Sequence, residues 1–338
     1  MKILNTLILL LLSVIALGQS TDELTAEQIL DSSIVFCGGE KRIAEIESSS
    51  VNYLLVQPDK STAVVTEKRK SGQKYVQSIL SMTHVPQTTF FDGKKLSKVN
   101  GSSVIQVDNI KSIEEIKLRT YNQVQYGYKM LNYKLTRLSD KKFQHFDCFV
   151  IDAEADNGYI TTNFFDKTDF RLLMVIYPNG NKSLMIDYFF KDSVLFNSHI
   201  VNTFANSDDK QILKLQHVHL NTNISELWFN CPYQDSAYTP PHIKTGKFES
   251  TNGEKTLFTR TEKSQDYYDD HGKIILRRFL KWANNNTYGL INENAIKEND
   301  TSPESEILVR IISWDDDEYV CHWISGKYTD TQDYKIKK

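Results

Sequence analysis

Between Phe143 and Leu220 the chain alternates. Leu184, Ile186, Tyr188 and Phe190, then Val194, Phe196, Ile200 and Phe204, are apolar, and Asp187, Lys191, Asn197 and His199 fall among them. A period of two puts successive side chains on opposite faces, so this stretch forms strands with one buried and one wetter face. Asn179-Gly180 suits a two-residue hairpin, and Asp166-Lys167-Thr168-Asp169 and Asn206-Ser207-Asp208-Asp209 are polar turn clusters. The spacing predicts five consecutive antiparallel strands. Leu172 to Tyr177 is apolar on both faces, which predicts a central strand covered from two sides.

The first residues read as an export leader. Met1-Lys2 precedes the apolar run Leu7 to Leu12, and Ala16-Leu17-Gly18 supplies a small-x-small site, so cleavage is expected after Gly18. The run is too short to span a bilayer, and Gln19 rather than Cys follows the site, which predicts neither a lipid anchor nor a transmembrane anchor. Losing Lys2 takes the formal net charge from −3 to −4, a balance that leaves no basic footprint for nucleic acid. With 17 Tyr and 17 Phe in 338 residues the chain can build a large core, and its length suits two domains. Cys37, Cys148, Cys231 and Cys321 follow no metal-like spacing; two disulfides in any of three pairings, or buried thiols, both fit.

Before the alternating stretch, Thr25-Ala26-Glu27-Gln28 is a capping box that starts a helix with its apolar stripe at Ile29, Leu30, Ile34 and Cys37, ended by Gly38-Gly39. Strands are expected at Val51 to Val56, Ala63 to Arg69 and Lys74 to Met82, with a hairpin tip at Phe90 to Lys94. Ser112-Ile113-Glu114-Glu115 reads as a second capping box, opening one helix with Ile113, Ile116, Tyr121 and Val124 on one side.

Several phrases in this order resemble a known family. Ile29-Leu30-Asp31 to Gly38-Gly39 with Ile43, Ile46 and Ser48, then Glu67-Lys68-Arg69-Lys70, Asp92-Gly93-Lys94, Ile186-Asp187-Tyr188 and Leu220 to Phe229 resemble the LolA/LolB-like outer-membrane lipoprotein sorting carriers. The form is the one common among exported proteins of Bacteroidetes, and the resemblance covers about residues 25–232. It implies a curved, incomplete antiparallel β-barrel with helices across its concave side, enclosing an apolar cavity for acyl chains. Those carriers are single domains, whereas this chain continues for about a hundred residues more.

Pro240-Pro241 marks a stiff linker. Beyond it, runs at Gly246 to Glu249, Leu257 to Ser264, Lys273 to Trp282, Tyr288 to Asn292, Ile307 to Trp314, Tyr319 to Ser325 and Tyr328 to Ile336 predict an all-β meander of seven or eight strands, a small barrel or rolled sheet. Turns are expected at Asn252-Gly253, Asp269 to Gly272, Asn284 to Asn286 and Asp315 to Asp317. Its Gly-x-Phe opening, Arg260 and late strands weakly resemble lipocalin-like domains, which usually show Gly-x-Trp. The expected layout is a leader at 1–18, a half-barrel domain at 19–232, a linker at 233–243 and the small barrel at 244–338. The fold class is α+β, mainly antiparallel β.

Three features invite chemistry. His217-Val218-His219 puts two imidazoles on one strand face, but no third metal ligand is spaced to join them. Asp315-Asp316-Asp317-Glu318 lacks the spaced carboxylates and glycine of a calcium loop and reads as a hairpin tip. Lys68-Arg69-Lys70 suits anionic head groups or a charged turn. No Gly-x-Ser-x-Gly elbow is present, so no enzyme, metal or cofactor is expected. The expectation is an exported or periplasmic carrier of a lipid or acyl chain, lined through alternation by Phe149, Ile151, Leu184, Ile186, Tyr188, Phe196 and Ile200. The rival readings are a two-domain envelope protein that binds a protein partner, and a hydrolase whose cluster only the fold assembles.

Overall fold

The computed structural model describes residues 24–81, 84–101, 103–231, 241–251, 256–283, 286–292, 306–325 and 328–337. The expected leader, most of the linker, and the turns at Asn252-Gly253 and Asn284 lie outside the described residues. Helices α1 (Ala26–Phe36) and α2 (Glu40–Ala44) lead into strands β1 (Ser48–Val56), β2 (Thr62–Lys70), β3 (Lys74–Leu80), β4 (Gln87–Phe91), β5 (Leu96–Asn100) and β6 (Ser103–Val107). Helices α3 (Ile110–Arg119) and α4 (Val124–Met130) follow, then β7 (Lys134–Phe143), β8 (Phe146–Glu154), β9 (Ile160–Asp166), β10 (Leu172–Ile176), β11 (Lys182–Lys191), β12 (Val194–Thr203) and β13 (Lys210–Leu220). A 3₁₀ turn at Glu226–Phe229 and the single-turn α5 (Pro241–Lys244) precede β14 (Gly246–Ser250), β15 (Leu257–Arg260), β16 (Ser264–Tyr268), β17 (Ile274–Trp282), β18 (Thr287–Asn292), β19 (Glu306–Trp314), β20 (Glu318–Ser325) and β21 (Tyr328–Lys337).

The first thirteen strands form one antiparallel sheet in the order β6-β5-β4-β3-β2-β1-β13-β12-β11-β10-β9-β8-β7. The chain starts at the centre, meanders to one edge, crosses to the other edge and meanders back, so β1 and β13 pair along a central seam from Ser49↔Leu220 to Val56↔Ile212. Because β6 and β7 are opposite edges, residues 108–133 must traverse the whole sheet, and α3 and α4 lie across its concave face as they do so. Six strands, β8 to β13, occupy the stretch where five were expected. The strand expected at Leu172 to Tyr177 is among them as β10, between the turns at Asp166–Asp169 and Asn179-Gly180.

Helix α1 starts at the capping box: Gln28 donates its backbone N–H to the Thr25 hydroxyl at 3.3 Å, and Thr25 N–H reaches Gln28 Oε1 at 2.9 Å. It ends in a paired glycine turn, with Gly39 N–H on Ile34 O at 3.0 Å and Gly38 N–H on Val35 O at 3.1 Å. Gly38 (φ +118°) is required twice over, since a Cβ there would sit 2.3 Å from the Ser193 carbonyl oxygen. The second capping box is not the cap. Asn109 caps α3 instead, accepting from Ser112 N–H at 3.0 Å, three residues before the expected start. The single expected helix is two, because Gln123 turns extended and donates from its side chain to Leu195 O while Asn122 accepts from the Ser49 hydroxyl at 2.6 Å.

Both faces of β10 are covered, as its sequence requires. Leu172 and Val175 join the core under the helices, and Leu173 and Met174 join a second cluster with Cys148, Val150 and Phe164, packed by Leu138, Phe143 and Phe146 of the β7–β8 hairpin. The remaining eight strands close into a barrel, β14 pairing with β21. The expected strand Leu257 to Ser264 is two, because Thr261 accepts the Ser264 N–H at 3.0 Å and turns the chain. The barrel is filled rather than hollow. Arg260, 1 % exposed, donates to Tyr288 and Tyr319 hydroxyls at 2.6 Å each, to Gln265 Oε1 at 3.0 Å and to Ile243 O at 3.0 Å, with Phe248 and Phe258 rings against its guanidinium. Ile243 of α5, itself fully buried, plugs that end.

The barrel seats on the outer face of β2–β5. Val76, Phe90 and Val99 pack with Trp228, Phe229, Ile312 and Val320, and Val64 and Leu80 pack with Ile324. Polar groups cross the same interface: His322 lies between the hydroxyls of Thr66 and Ser78, 3.1 Å from each, Lys68 donates to Thr331 at 2.9 Å and Arg310 to Thr88 at 3.2 Å. The Lys68-Arg69-Lys70 run is therefore neither a membrane patch nor a charged turn. Its alternation sends Lys68 to the barrel, Arg69 to the concave side and Lys70 to Glu226.

Candidate functional site

Between α3–α4 and the concave face of the sheet lies a cavity of about 140 Å³. Each wall comes from a different part of the chain: Leu118 from α3, Val124, Gln125 and Tyr128 from α4, Leu172 and Val175 from β10, Met185 and Tyr188 from β11, Leu195 and Asn197 from β12. A second chamber of about 220 Å³, walled by Leu55, Val65, Ile79 and Leu213, shares Glu115, Arg119 and Tyr177 with the first. Those three side chains partition one trough. At its other end Tyr121 separates the first chamber from an open depression of about 710 Å³ beside Ser71–Gln73 and Asn221–Ile224.

The partition is charged, and amide and hydroxyl side chains share the walls with apolar and phenolic ones, Asn122, Gln123 and Gln125 in the first chamber and Gln77, Ser183 and Gln211 in the second. Arg119 donates from Nε and Nη2 to Glu115 Oε1 at 3.3 and 2.9 Å. Its backbone carbonyl accepts from Arg69 Nε at 2.8 Å, and Arg69 is ion-paired with Glu67, which also accepts from Tyr75 at 2.6 Å and Gln77 at 2.9 Å. Burial alone would raise the Glu67 carboxyl, but Arg69, Arg119 and these two donors hold it below its ordinary value. Arg119 retains 39 % side-chain accessibility and borders both chambers.

Phenols surround the chamber. Tyr128 bonds Thr161 at 2.7 Å and Asn163 at 2.9 Å, and Tyr188 donates to Leu172 O. Tyr159, 2 % exposed, has a buried hydroxyl with no hydrogen-bond partner among the described residues. Burial raises its pKa, and Glu115 is the next cause. The Cys37 thiol on the same wall is pushed up to about 12 by burial, which keeps it protonated and unreactive.

The sequence-predicted lining is only partly gathered here. Tyr188 lines the chamber, and Ile200 stands opposite Met185 and Leu213 on the same face. Phe149, Ile151 and Phe196 are buried in the apolar cluster behind the wall. Leu184 faces the outer cluster and Ile186 is 46 % exposed. Irregularities on either side of Asp187 shift the register of β11, so Met185 rather than Ile186 shares the cavity with Tyr188. Residues that alternation missed are Arg69, Glu115, Arg119, Tyr128 and Tyr159. They are single polar or aromatic positions on separate elements, and only the Tyr121–Val124 stripe hinted at their neighbourhood.

The other candidates dissolve into local structure. His217 and His219 are exposed with ring centroids 6.5 Å apart, and no group of three metal-ligating side chains occurs among the described residues. Asp315 Oδ1 accepts from the Asp317 and Glu318 N–H groups at 2.8 Å, the bonds of a turn. Cys37, Cys148, Cys231 and Cys321 lie in the concave core, the outer cluster, the interface and the barrel, respectively. No described helix is long and apolar enough to cross a membrane.

No family model matches the chain, and no curated protein matches it. Among solved structures it is similar to a LolA superfamily protein from Nitrosomonas europaea (14 % identity, TM-score 0.44, covering 61 % of this chain and 98 % of that one). An outer membrane lipoprotein-sorting protein domain from Vibrio parahaemolyticus is also similar (15 %, TM-score 0.41, 60 % and 97 %), as is a DUF1329 family protein from Desulfovibrio piger (9 %, TM-score 0.44, 61 % and 97 %). Its structural neighbours thus include LolA superfamily and lipoprotein-sorting proteins, the family that the phrases between residues 25 and 232 resemble.

Proposed function

We propose that the protein is an exported, non-enzymatic carrier that holds an apolar chain in the trough between α3–α4 and the sheet. The observation that carries this reading is the partly open chamber itself, walled in part by Leu118, Val124, Leu172, Val175, Met185 and Leu195 and sharing Glu115, Arg119 and Tyr177 with a second chamber. At about 140 Å³ the first chamber is comparable to a void that admits one benzene ring. Swinging Arg119 and Tyr177 aside joins the two into a volume of the size that takes small molecules. The sequence resemblance to lipoprotein carriers and the leader at residues 1–18 agree with an acyl ligand met in the cell envelope. Against catalysis, the ionisable wall groups Arg69 and Arg119 are already paired with carboxylates, and no histidine or serine lines the chamber among the described residues.

Native mass spectrometry with organic extraction, on mature protein from its own envelope fraction, tests the proposal. A near-stoichiometric lipid or acyl species is expected. A bare mass, with no uptake of added fatty ester or phospholipid, overturns it. One observation favours a protein-binding role as a second reading. Ile186, Phe189 and Phe190 are 46, 46 and 56 % exposed along β11, large apolar side chains left open on both faces of one strand. Affinity capture from envelope extract that is lost on changing Phe189 and Phe190 to serine would support that reading.

A further inference from the structure

The trough holds two hydrogen-bond donors without acceptors. Arg119 spends Nε and Nη2 on Glu115, while its Nη1 makes no hydrogen bond among the described residues. The Tyr159 hydroxyl, buried on the same chamber's wall, also has none. Of the two, the Tyr159 hydroxyl is the buried one, and a buried donor left unmade is destabilising, so it is retained where something else satisfies it; Arg119 is 39 % accessible. Glu115 and Arg119 both act on the Tyr159 phenol, which places the three groups in one neighbourhood.

The charges there already balance. Arg69 and Arg119 face Glu67 and Glu115, two cations and two anions in two pairs. A carboxylate entering this group would add a negative charge beside Glu115, whose own charge Arg119 already balances. A neutral acceptor adds bonds without adding charge. Resting on the carrier reading, we infer that the chamber recognises the carbonyl of an uncharged acyl ester or amide, its oxygens seated against Tyr159 and Arg119 while the alkyl chain lies against Leu118, Val175 and Met185.

The test measures binding of three probes, methyl octanoate, octane and octanoate at pH 8, to the full chain and to Tyr159→Phe. Removing an unpartnered hydroxyl breaks no contact of the empty protein, so the variant folds, which its thermal melt verifies. One neutral hydrogen bond corresponds to a change of about fivefold, on the scale of tenfold per 1.4 kcal/mol. The expected result is that Tyr159→Phe weakens methyl octanoate about fivefold and leaves octane unchanged, and that octanoate binds the unaltered protein more weakly than its ester. An ester affinity indifferent to Tyr159→Phe, or octanoate binding tighter than the ester, overturns the inference while leaving the carrier intact. If none of the three probes binds, the carrier reading falls and this inference falls with it.

Discussion

Acidifying the protein should loosen the seat between sheet and barrel, and His322 sets the size of the effect. Its ring is fully buried between Thr66 of β2 and Ser78 of β3, with Lys68 and Arg310 as the nearby charges. Burial first, then those two cations, push its pKa from 6.5 down to about 3. A histidine whose folded pKa lies below its unfolded value contributes stability that is fully present above pH 6.5 and is lost as pH falls towards 3, because the opened state takes up the proton first. The loss runs at about 1.4 kcal/mol per pH unit, so moving from pH 7.5 to pH 5 should remove roughly 2 kcal/mol. For a unit of this size that is a fall in Tm of about 4–8 °C. The assay is denaturant unfolding at both pH values, read by the fluorescence of Trp228, which lies in the interface with its Nε1 on Asp333 at 2.9 Å. Asp333, raised by burial, titrates in the opposite sense, so the comparison must be with His322→Gln, which keeps a polar side chain and removes the proton site. The variant should lose most of the pH 7.5-to-5 difference; an unchanged difference would refute the assignment.

Other perturbations separate the remaining elements. Met185→Asp should abolish acyl uptake and Ile186→Asp should leave it intact, measured by native mass after loading, because only the first side chain enters the chamber. Gly38→Ala should destabilise the protein by roughly 2 kcal/mol or more in chemical denaturation, since it combines a φ of +118° with a Cβ driven into Ser193 O. Arg260→Met should lower barrel stability by roughly 2–4 kcal/mol and weaken the near-ultraviolet tyrosine dichroism, because Tyr288 and Tyr319 lose their common partner.

Strands were legible wherever one face was dry, which is why β11 and β12 could be read from period two, while the barrel meander was read from its turns and missed the break at Thr261. Phase was not. The irregularity around Asp187 leaves the apolar pattern of Leu184, Ile186 and Tyr188 intact while moving its members to different faces, and backbone geometry alone decides which face each takes. Burial from the far side was equally hidden. Thr66, Lys68, Ser78 and Thr88 are polar, yet the barrel covers them and pairs each with a polar group of its own. The trough's donors, Arg119 and Tyr159, lie 40 residues apart on a helix and beside a strand. Nothing local marks either one, because a binding wall assembled from distant elements has no period.

The seam between β1 and β13 also bears on how the chain acquires its shape. The two meanders on either side of it are built from hairpins, whose loops close quickly and locally, whereas the seam joins Val51 to Val218 across the whole of both. Loop-closure entropy for that ladder is met in a single step, after the half-sheets exist to present their edges. The seam therefore governs the speed of assembly. Val51→Ala should slow refolding in stopped-flow measurements, while a change in the β11–β12 turn should chiefly alter the unfolding rate. The first chamber's walls, Leu118 to Asn197, lie almost wholly on one side of that seam, whereas the second adds Leu55, Val65 and Ile79 from the other, so only the last ladder to close brings the second chamber into being.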